Sequence, residues 1–226
     1  MVLAAGFGTR MGELTKDRPK PLIKVAGRAL IDHSLDHCDA AGIQRAVVNL
    51  HYRGEQLMDH LSNRHSLKIE FSEETEILET GGGVVKALPQ LNRQTFYTIN
   101  SDAIWTGGSP LQTLQSTWEP EKMSALLLLV PTKRALGYTR AGDFFLDQDN
   151  RVRRRGEADS ATYVFTGAQI ITAQSFDAAP AGAFSLNVIW NQILAAGRLY
   201  GVVHDGDWVD VGSPVGLEAA ERALKR

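Results

Sequence analysis

The chain has a single cysteine, Cys38, so no internal disulfide can form. Its position on the apolar side of an expected helix makes it a buried core residue. Long hydrophobic runs are missing too. The longest covers residues 125–130, far short of the roughly 20 residues that span a bilayer. The N-terminus has no signal-peptide pattern. Charge of one sign is not in excess: 24 Lys and Arg stand against 26 Asp and Glu, a formal net charge of −2. Nucleic acid and membrane surfaces select basic proteins, so neither is an expected partner. The histidines His33, His37, His51, His60, His65 and His204 show no spacing that would build a zinc site. No internal repeat and no linker interrupts the chain. These absences point to a cytoplasmic location and to one domain spanning residues 1–226.

There is enough apolar material for a full core, 43% of 226 residues. Leu30, Ile31, Leu35 and Cys38 recur at helical spacing, with Gly42 as a stop. Residues 46–50 read as a buried strand. Leu57, Met58 and Leu61 mark a second helix, and Leu67, Ile69 and Phe71 alternate as a strand. Thr80 is expected to cap a helix carrying Val84, Val85 and Leu88, and residues 96–100 form the next strand. This alternation through residue 118 predicts a doubly wound α/β sheet. The second half differs. Residues 125–130, 143–147, 151–155 and 162–171 read as strands, with a turn at 148–150, adding antiparallel pairs that form a smaller lobe. A helix over 183–196, strands over 199–204 and 208–211, and a helix opened by Ser213-Pro214 complete the chain.

The densest chemistry lies in Leu3-Ala4-Ala5-Gly6-Phe7-Gly8-Thr9-Arg10-Met11-Gly12 and its continuation Arg18-Pro19-Lys20-Pro21-Leu22. Gly6 and Gly8 can take φ > 0 and let backbone N–H groups converge on an anion. Arg10 adds a planar fork for phosphate oxygens. Lys20 is held between two prolines that keep the backbone extended and aim its ammonium. A glycine turn followed by a solvated basic loop is the bland alternative. A dinucleotide fingerprint is excluded, because its third glycine would fall at Met11, and the Gly-Lys-Ser/Thr of a P-loop is absent. Asp102 follows a strand, at the carboxyl edge where open α/β sheets bind ligands; a turn role is equally open to it. Asp210 stands inside Trp208-Val209-Asp210-Val211-Gly212, where Asp is unfavoured in a strand. Two carboxylates beside a bound phosphate group would imply Mg²⁺.

The first stretch resembles the signature of the sugar-1-phosphate nucleotidyltransferases, also called nucleoside-diphosphate-sugar pyrophosphorylases: Leu-Ala-Ala/Gly-Gly-x-Gly-Thr-Arg-Leu/Met, a spacer, then Pro-Lys-Pro. Glu13 replaces a usual spacer proline. The resemblance implies a Rossmann-like, GT-A-like core with a mixed sheet. It divides the chain into a nucleotide-binding half (about 1–120), a sugar-binding lobe (about 121–205) and a return strand with a C-terminal helix (206–226). It also implies transfer of a nucleotidyl group from an NTP to a sugar 1-phosphate, with release of pyrophosphate. Some nucleotidyltransferases append hexapeptide repeats; none is present here, so no acyltransferase domain is expected.

Carried over residue by residue, the catalytic set is Arg10, Lys20, Asp102 and Asp210, with Asp102 and Asp210 as ligands of Mg²⁺. Ser101 stands where the family usually has glycine. Nucleotide contacts fall on Leu3, Ala5, Gly6, Gly8, Thr9, Arg10 and Lys20, and on Glu79, Thr80 and Gly82 of Glu79-Thr80-Gly81-Gly82-Gly83; tight helix–sheet packing is the rival reading of that glycine run. Glu79 replaces a usual glycine. This segment, with Gly142-Asp143-Phe144 and Gly182-Ala183-Phe184, resembles the N-acetylmuramate-1-phosphate uridylyltransferase branch, which implies UTP as donor and a role in cell-wall sugar recycling. Sugar contacts fall on Arg140, Gly142, Asp143, Thr166 and Gly167. Among Lys133, Arg134 and Arg140, the expected partner of the muramate lactyl carboxylate is Arg140. Arg153-Arg154-Arg155 reads as a solvated strand. A guanylyltransferase for mannose or heptose 1-phosphate is the rival reading, and an inactive regulatory relative is the rival of another class. A monomer or small homo-oligomer is expected.

Overall fold

Short apolar strands separated by amphipathic helices give the first half a parallel sheet. In the computed structural model, which describes residues 1–225, β1 (Val2–Leu3) is followed by a hairpin of β2 (Lys24–Val25) and β3 (Arg28–Ala29). Arg226, the last residue of the expected domain, lies outside the described residues. Helix α1 (Leu30–Ala40), strand β4 (Arg45–Leu50), helix α2 (Gly54–Leu61), strand β5 (Lys68–Glu73), helix α3 (Glu79–Leu91) and strand β6 (Thr95–Asn100) alternate as expected. Strand β1 lies between β4 and β6, and β5 pairs with β4, all in parallel.

After β6 the chain makes β7 (Ala103–Trp105), α4 (Pro110–Thr117), β8 (Ala125–Pro131) and β9 (Ala135–Leu136). Next come β10 (Phe144–Leu146), β11 (Val152–Arg154), β12 (Tyr163–Thr172), α5 (Asn187–Ala195), β13 (Leu199–Val203), β14 (Trp208–Asp210) and α6 (Pro214–Ala223). Strand β12 pairs antiparallel with both β6 and β8, so the sheet is mixed. Its register shifts between Phe165 and Gln169, around Gly167 at φ +87°. Antiparallel β12 thus lies in the middle of one nine-stranded sheet, and β10 and β11 extend it to one edge. Helices α1, α2 and α4 cover one face, and α3 and α5 the other.

Two short elements place the carboxylates. Strand β14 pairs antiparallel with β7 and parallel with β9, setting Asp210 opposite Ala103, the neighbour of Asp102. The Ser213 hydroxyl accepts from the Gly216 N–H and caps α6 as expected.

Two local expectations differ. Thr80 lies inside the first turn of α3, whose cap is Leu78, and its hydroxyl accepts from the Leu186 N–H. The helix expected over 183–196 starts only at Asn187. Residue 184 is engaged elsewhere: its N–H donates to the Leu78 carbonyl, and its own carbonyl accepts from the Gly81 and Gly82 N–H groups. Among the described residues, no helix is long and apolar enough to cross a membrane.

Candidate active site

The glycine-rich loop leaves β1 and is anchored by a polar residue in a buried strand. Asn49 of β4 accepts from the Ala4 N–H at 2.7 Å and donates to the Glu74 carboxyl at 2.7 Å; Glu74 in turn accepts from the Leu78 N–H at 3.0 Å. Gly8 is left-handed at φ +66°, and Thr15 Oγ1 donates to the carbonyls of Gly8 and Gly12. A Cβ on Gly8 would fall 2.9 Å from the Lys20 Cβ, so glycine there lets the two segments pass. Gly6 does not use the left-handed region; Gly12, at φ +57°, does. Lys20, only 7% exposed, donates from Nζ to Asp102 Oδ2 at 2.6 Å.

Asp102 follows β6 and Asp210 closes β14. Ser101 fills its position without positive φ, its hydroxyl donating to the Leu3 carbonyl at 2.8 Å. Burial, and then the charge of Asp102, push the Asp210 pKa above the ordinary carboxyl value, against the pull of Lys20, Arg10 and Arg140. A Cβ on Gly212 would lie 2.8 Å from Asp210 Oδ1 and 3.0 Å from both terminal nitrogens of Arg10, so the bare backbone leaves room for both groups. Among the described residues, no group of three or more His, Cys, Asp or Glu converges. A pair of mutually repelling carboxylates suits Mg²⁺, which takes few protein ligands and completes its shell with phosphates and water.

Two cavities, of about 290 and 310 Å³, meet at a wall made by Leu3, Arg10, Thr80, Asn100 and Asp102. The first holds nine of the residues expected on the nucleotide: Leu3, Ala5, Gly6, Gly8, Thr9, Arg10, Lys20, Glu79 and Thr80. The second holds Asp210 with Arg140, Asp143 and Gly167. Asp143 is fixed by the Tyr138 hydroxyl at 3.1 Å and the Phe165 N–H at 3.0 Å. Arg140 is exposed and stacks on Tyr138, 4.8 Å from the ring centroid.

Three expected contacts do not face a cavity. Gly82 is buried against the Gly182 carbonyl, while a Cβ on Gly83 would meet the Glu74 carboxyl at 2.7 Å. The glycine run therefore serves helix packing. Thr166 is fully buried and donates to the Leu128 carbonyl at 3.0 Å. Gly142, at φ +83°, is buried against the Ala161 carbonyl, so its role is to turn the backbone.

Other lining residues stand outside the sequence motifs. Asn49 and Glu74 line the first cavity; the polar Asn inside Val47-Val48-Asn49-Leu50 was the available signal. Arg154 lines the second, contrary to the solvated strand expected of Arg153-Arg154-Arg155. So does Trp190, whose indole N–H donates to Gln169 at 2.9 Å.

Known proteins resemble the chain along its whole length. The N-acetylmuramate alpha-1-phosphate uridylyltransferase of Caulobacter vibrioides is 41% identical, with 99% of this chain and 96% of that protein aligned. The protein of the same name in Neisseria meningitidis serogroup B is 35% identical over 98% and 96%. Mannose-1-phosphate guanylyltransferase 1 of Arabidopsis thaliana is 25% identical, and 61% of its length is covered. In fold, a UDP-glucose pyrophosphorylase solved with UDP-glucose superposes with a TM-score of 0.82 at 16% identity, covering 100% of this chain and 98% of that one. The family described as Nucleotidyl transferase matches residues 1–226, and the chain belongs to that family.

Proposed function

We propose that this enzyme transfers a uridylyl group from UTP to N-acetylmuramate 1-phosphate, forming the UDP-sugar and pyrophosphate in cytoplasmic recycling of cell-wall sugars. The observation that carries the reading is the pair of cavities sharing one wall at Arg10 and Asp102. A nucleotide in one and a sugar phosphate in the other would meet there. The two full-length uridylyltransferase relatives supply the donor and the acceptor. An inactive relative would have no physical use for Arg10, Lys20, Asp102 and Asp210 converging on one cleft.

The sugar phosphate oxygen attacks the α-phosphorus in line, and pyrophosphate leaves without a covalent enzyme intermediate. The loop N–H groups and Arg10 receive the negative charge of the triphosphate. Lys20, held on Asp102 by a 2.6 Å contact, is a positioned point charge rather than a base. Mg²⁺ held by Asp102 and Asp210 would neutralise phosphate charge as it builds. Pyrophosphate release with UTP, GTP, CTP and dTTP against muramate, N-acetylglucosamine and mannose 1-phosphates tests the assignment. UTP with muramate 1-phosphate should give the highest kcat/KM. Preference for GTP with mannose 1-phosphate would replace this reading with the guanylyltransferase one.

A further inference from the structure

Arg154 presents a guanidinium with spare donors in the second cavity. In β11 the side chains alternate, so Arg154 shares the inward face with the buried Val152 while Arg153 points outward over Phe145. The half-buried Arg154 guanidinium lies over the rings of Phe144 and Trp190, 5.2 and 5.8 Å from their centroids. It donates to Asn187 Oδ1 at 2.6 Å, Asn191 Oδ1 at 2.8 Å and the Asn187 carbonyl at 3.4 Å. All three partners are neutral. Among the described residues it makes no ion pair: Asp143 acts on its charge only from beyond 4 Å, its two oxygens accepting from the Tyr138 hydroxyl and the Phe165 N–H. Three of the five guanidinium N–H donors are used, which leaves two for an incoming group.

The aromatic faces attract the guanidinium and hold it in place, and its spare donors suit an incoming anion. The anion cannot be the reacting phosphate, which belongs at the wall of Arg10 and Asp102. Arg140 stands nearer that end, since it is among the charges acting on Asp210. Arg154 shares its surroundings instead with Phe144, Trp190 and the start of α5. A sugar bound between the two ends would bring its substituents away from the phosphate up to the spare donors of Arg154. We propose that Arg154 recognises the lactyl carboxylate of the acceptor sugar, in place of the exposed Arg140. This rests on the muramate reading and adds the residue that selects for it. The Asn187 and Asn191 contacts hold the fork in one orientation, which suits a planar carboxylate.

The test compares kcat/KM for muramate 1-phosphate with that for N-acetylglucosamine 1-phosphate, which lacks the lactyl group. In Arg154→Gln the ratio should fall roughly 10–150-fold, the loss of one charged hydrogen-bonded contact, and the change should lie in the muramate KM. Arg154→Lys, which keeps the charge without the fork, should retain more of the preference than Arg154→Gln. Arg140→Ala should weaken both sugars together. Thermal unfolding of each variant identifies a loss that comes only from loosened packing on Phe144 and Trp190. An unchanged ratio in Arg154→Gln, or a ratio that falls only in Arg140→Ala, overturns the role of Arg154 and leaves the muramate reading standing. A wild type without preference between the sugars overturns that reading, and this inference with it.

Discussion

Asp210 is a side chain kept where its ionised form is disfavoured. Burial and the neighbouring Asp102 both raise its pKa, and three cations only partly offset them. The folded protein therefore holds this proton up to a higher pH than the unfolded chain does. Through that window stability falls as pH rises, and the deficit persists at neutral pH. Asp210→Asn should accordingly raise the unfolding temperature at pH 7 while reducing turnover at least ~10²-fold, the usual effect of losing one electrostatic stabiliser. Turnover close to wild type would remove Asp210 from the reaction; a lowered unfolding temperature would refute the strain. Glu79 carries strain of another kind. It opens α3 at φ +56°, a left-handed conformation that usually disfavours residues with a Cβ by about 1–2 kcal/mol. Glu79→Gly should leave the unfolding temperature unchanged or higher, where an ordinary helix position loses about 1 kcal/mol on the same change. A drop of that size would mean that the Glu79 carboxyl holds the helix start more strongly than the backbone resists it.

At the scale of elements, β4 connects the glycine-rich loop to the start of α3. Asn49 is 3% exposed and Glu74 5% exposed, so neither polar group has water to fall back on. Asn49→Ala would leave the Ala4 N–H without its acceptor and the Glu74 carboxyl without its donor. A loss of about 2–4 kcal/mol in unfolding free energy is expected, together with a raised KM for the nucleotide. A stability loss with an unchanged nucleotide KM would show the loop to be held by other contacts. The glycine-rich loop was legible as a turn because its parts lie within twenty residues and each has a local reason. The parallel half was legible for the same cause, apolar runs alternating with helical spacing. What stayed hidden depends on register and on contacts between distant segments. The three-residue β7 has no pattern of its own and exists because β14 pairs with it. Thr166 and Gly167 could not be sorted into core and cavity until the shift in β12 was seen. Three consecutive arginines look alike until strand alternation turns the middle one inward.

Across the whole molecule, the expected lobe boundary near residue 120 does not divide the core. One cluster joins Val2, Val48 and Ile99 to Leu126, Leu128 and Val164, so both halves share it. A single cooperative unfolding transition is therefore expected, and its pH dependence carries the mark of a buried histidine. His37 of α1 stands edge-on to Trp105 at 5.7 Å, across the contact between α1 and β7. Burial lowers its pKa from 6.5 to about 4, and the nearby His204 and His33 add to the effect against the pull of Asp36. Between those values the unfolded chain binds a proton that the folded protein does not. Stability is then full above pH 6.5 and is lost as pH falls toward about 4, by roughly 3 kcal/mol if the shift is taken whole. Asp210 tilts the profile the other way, but it does so equally in any variant that retains it. The comparison to make is thus wild type against His37→Gln, with unfolding followed from pH 7.5 to 4.5. The wild-type free energy should decline more steeply with acid, and the two profiles should converge at low pH. Parallel profiles would show that the folded protein protonates His37 as readily as the unfolded chain, and that the acid sensitivity arises elsewhere.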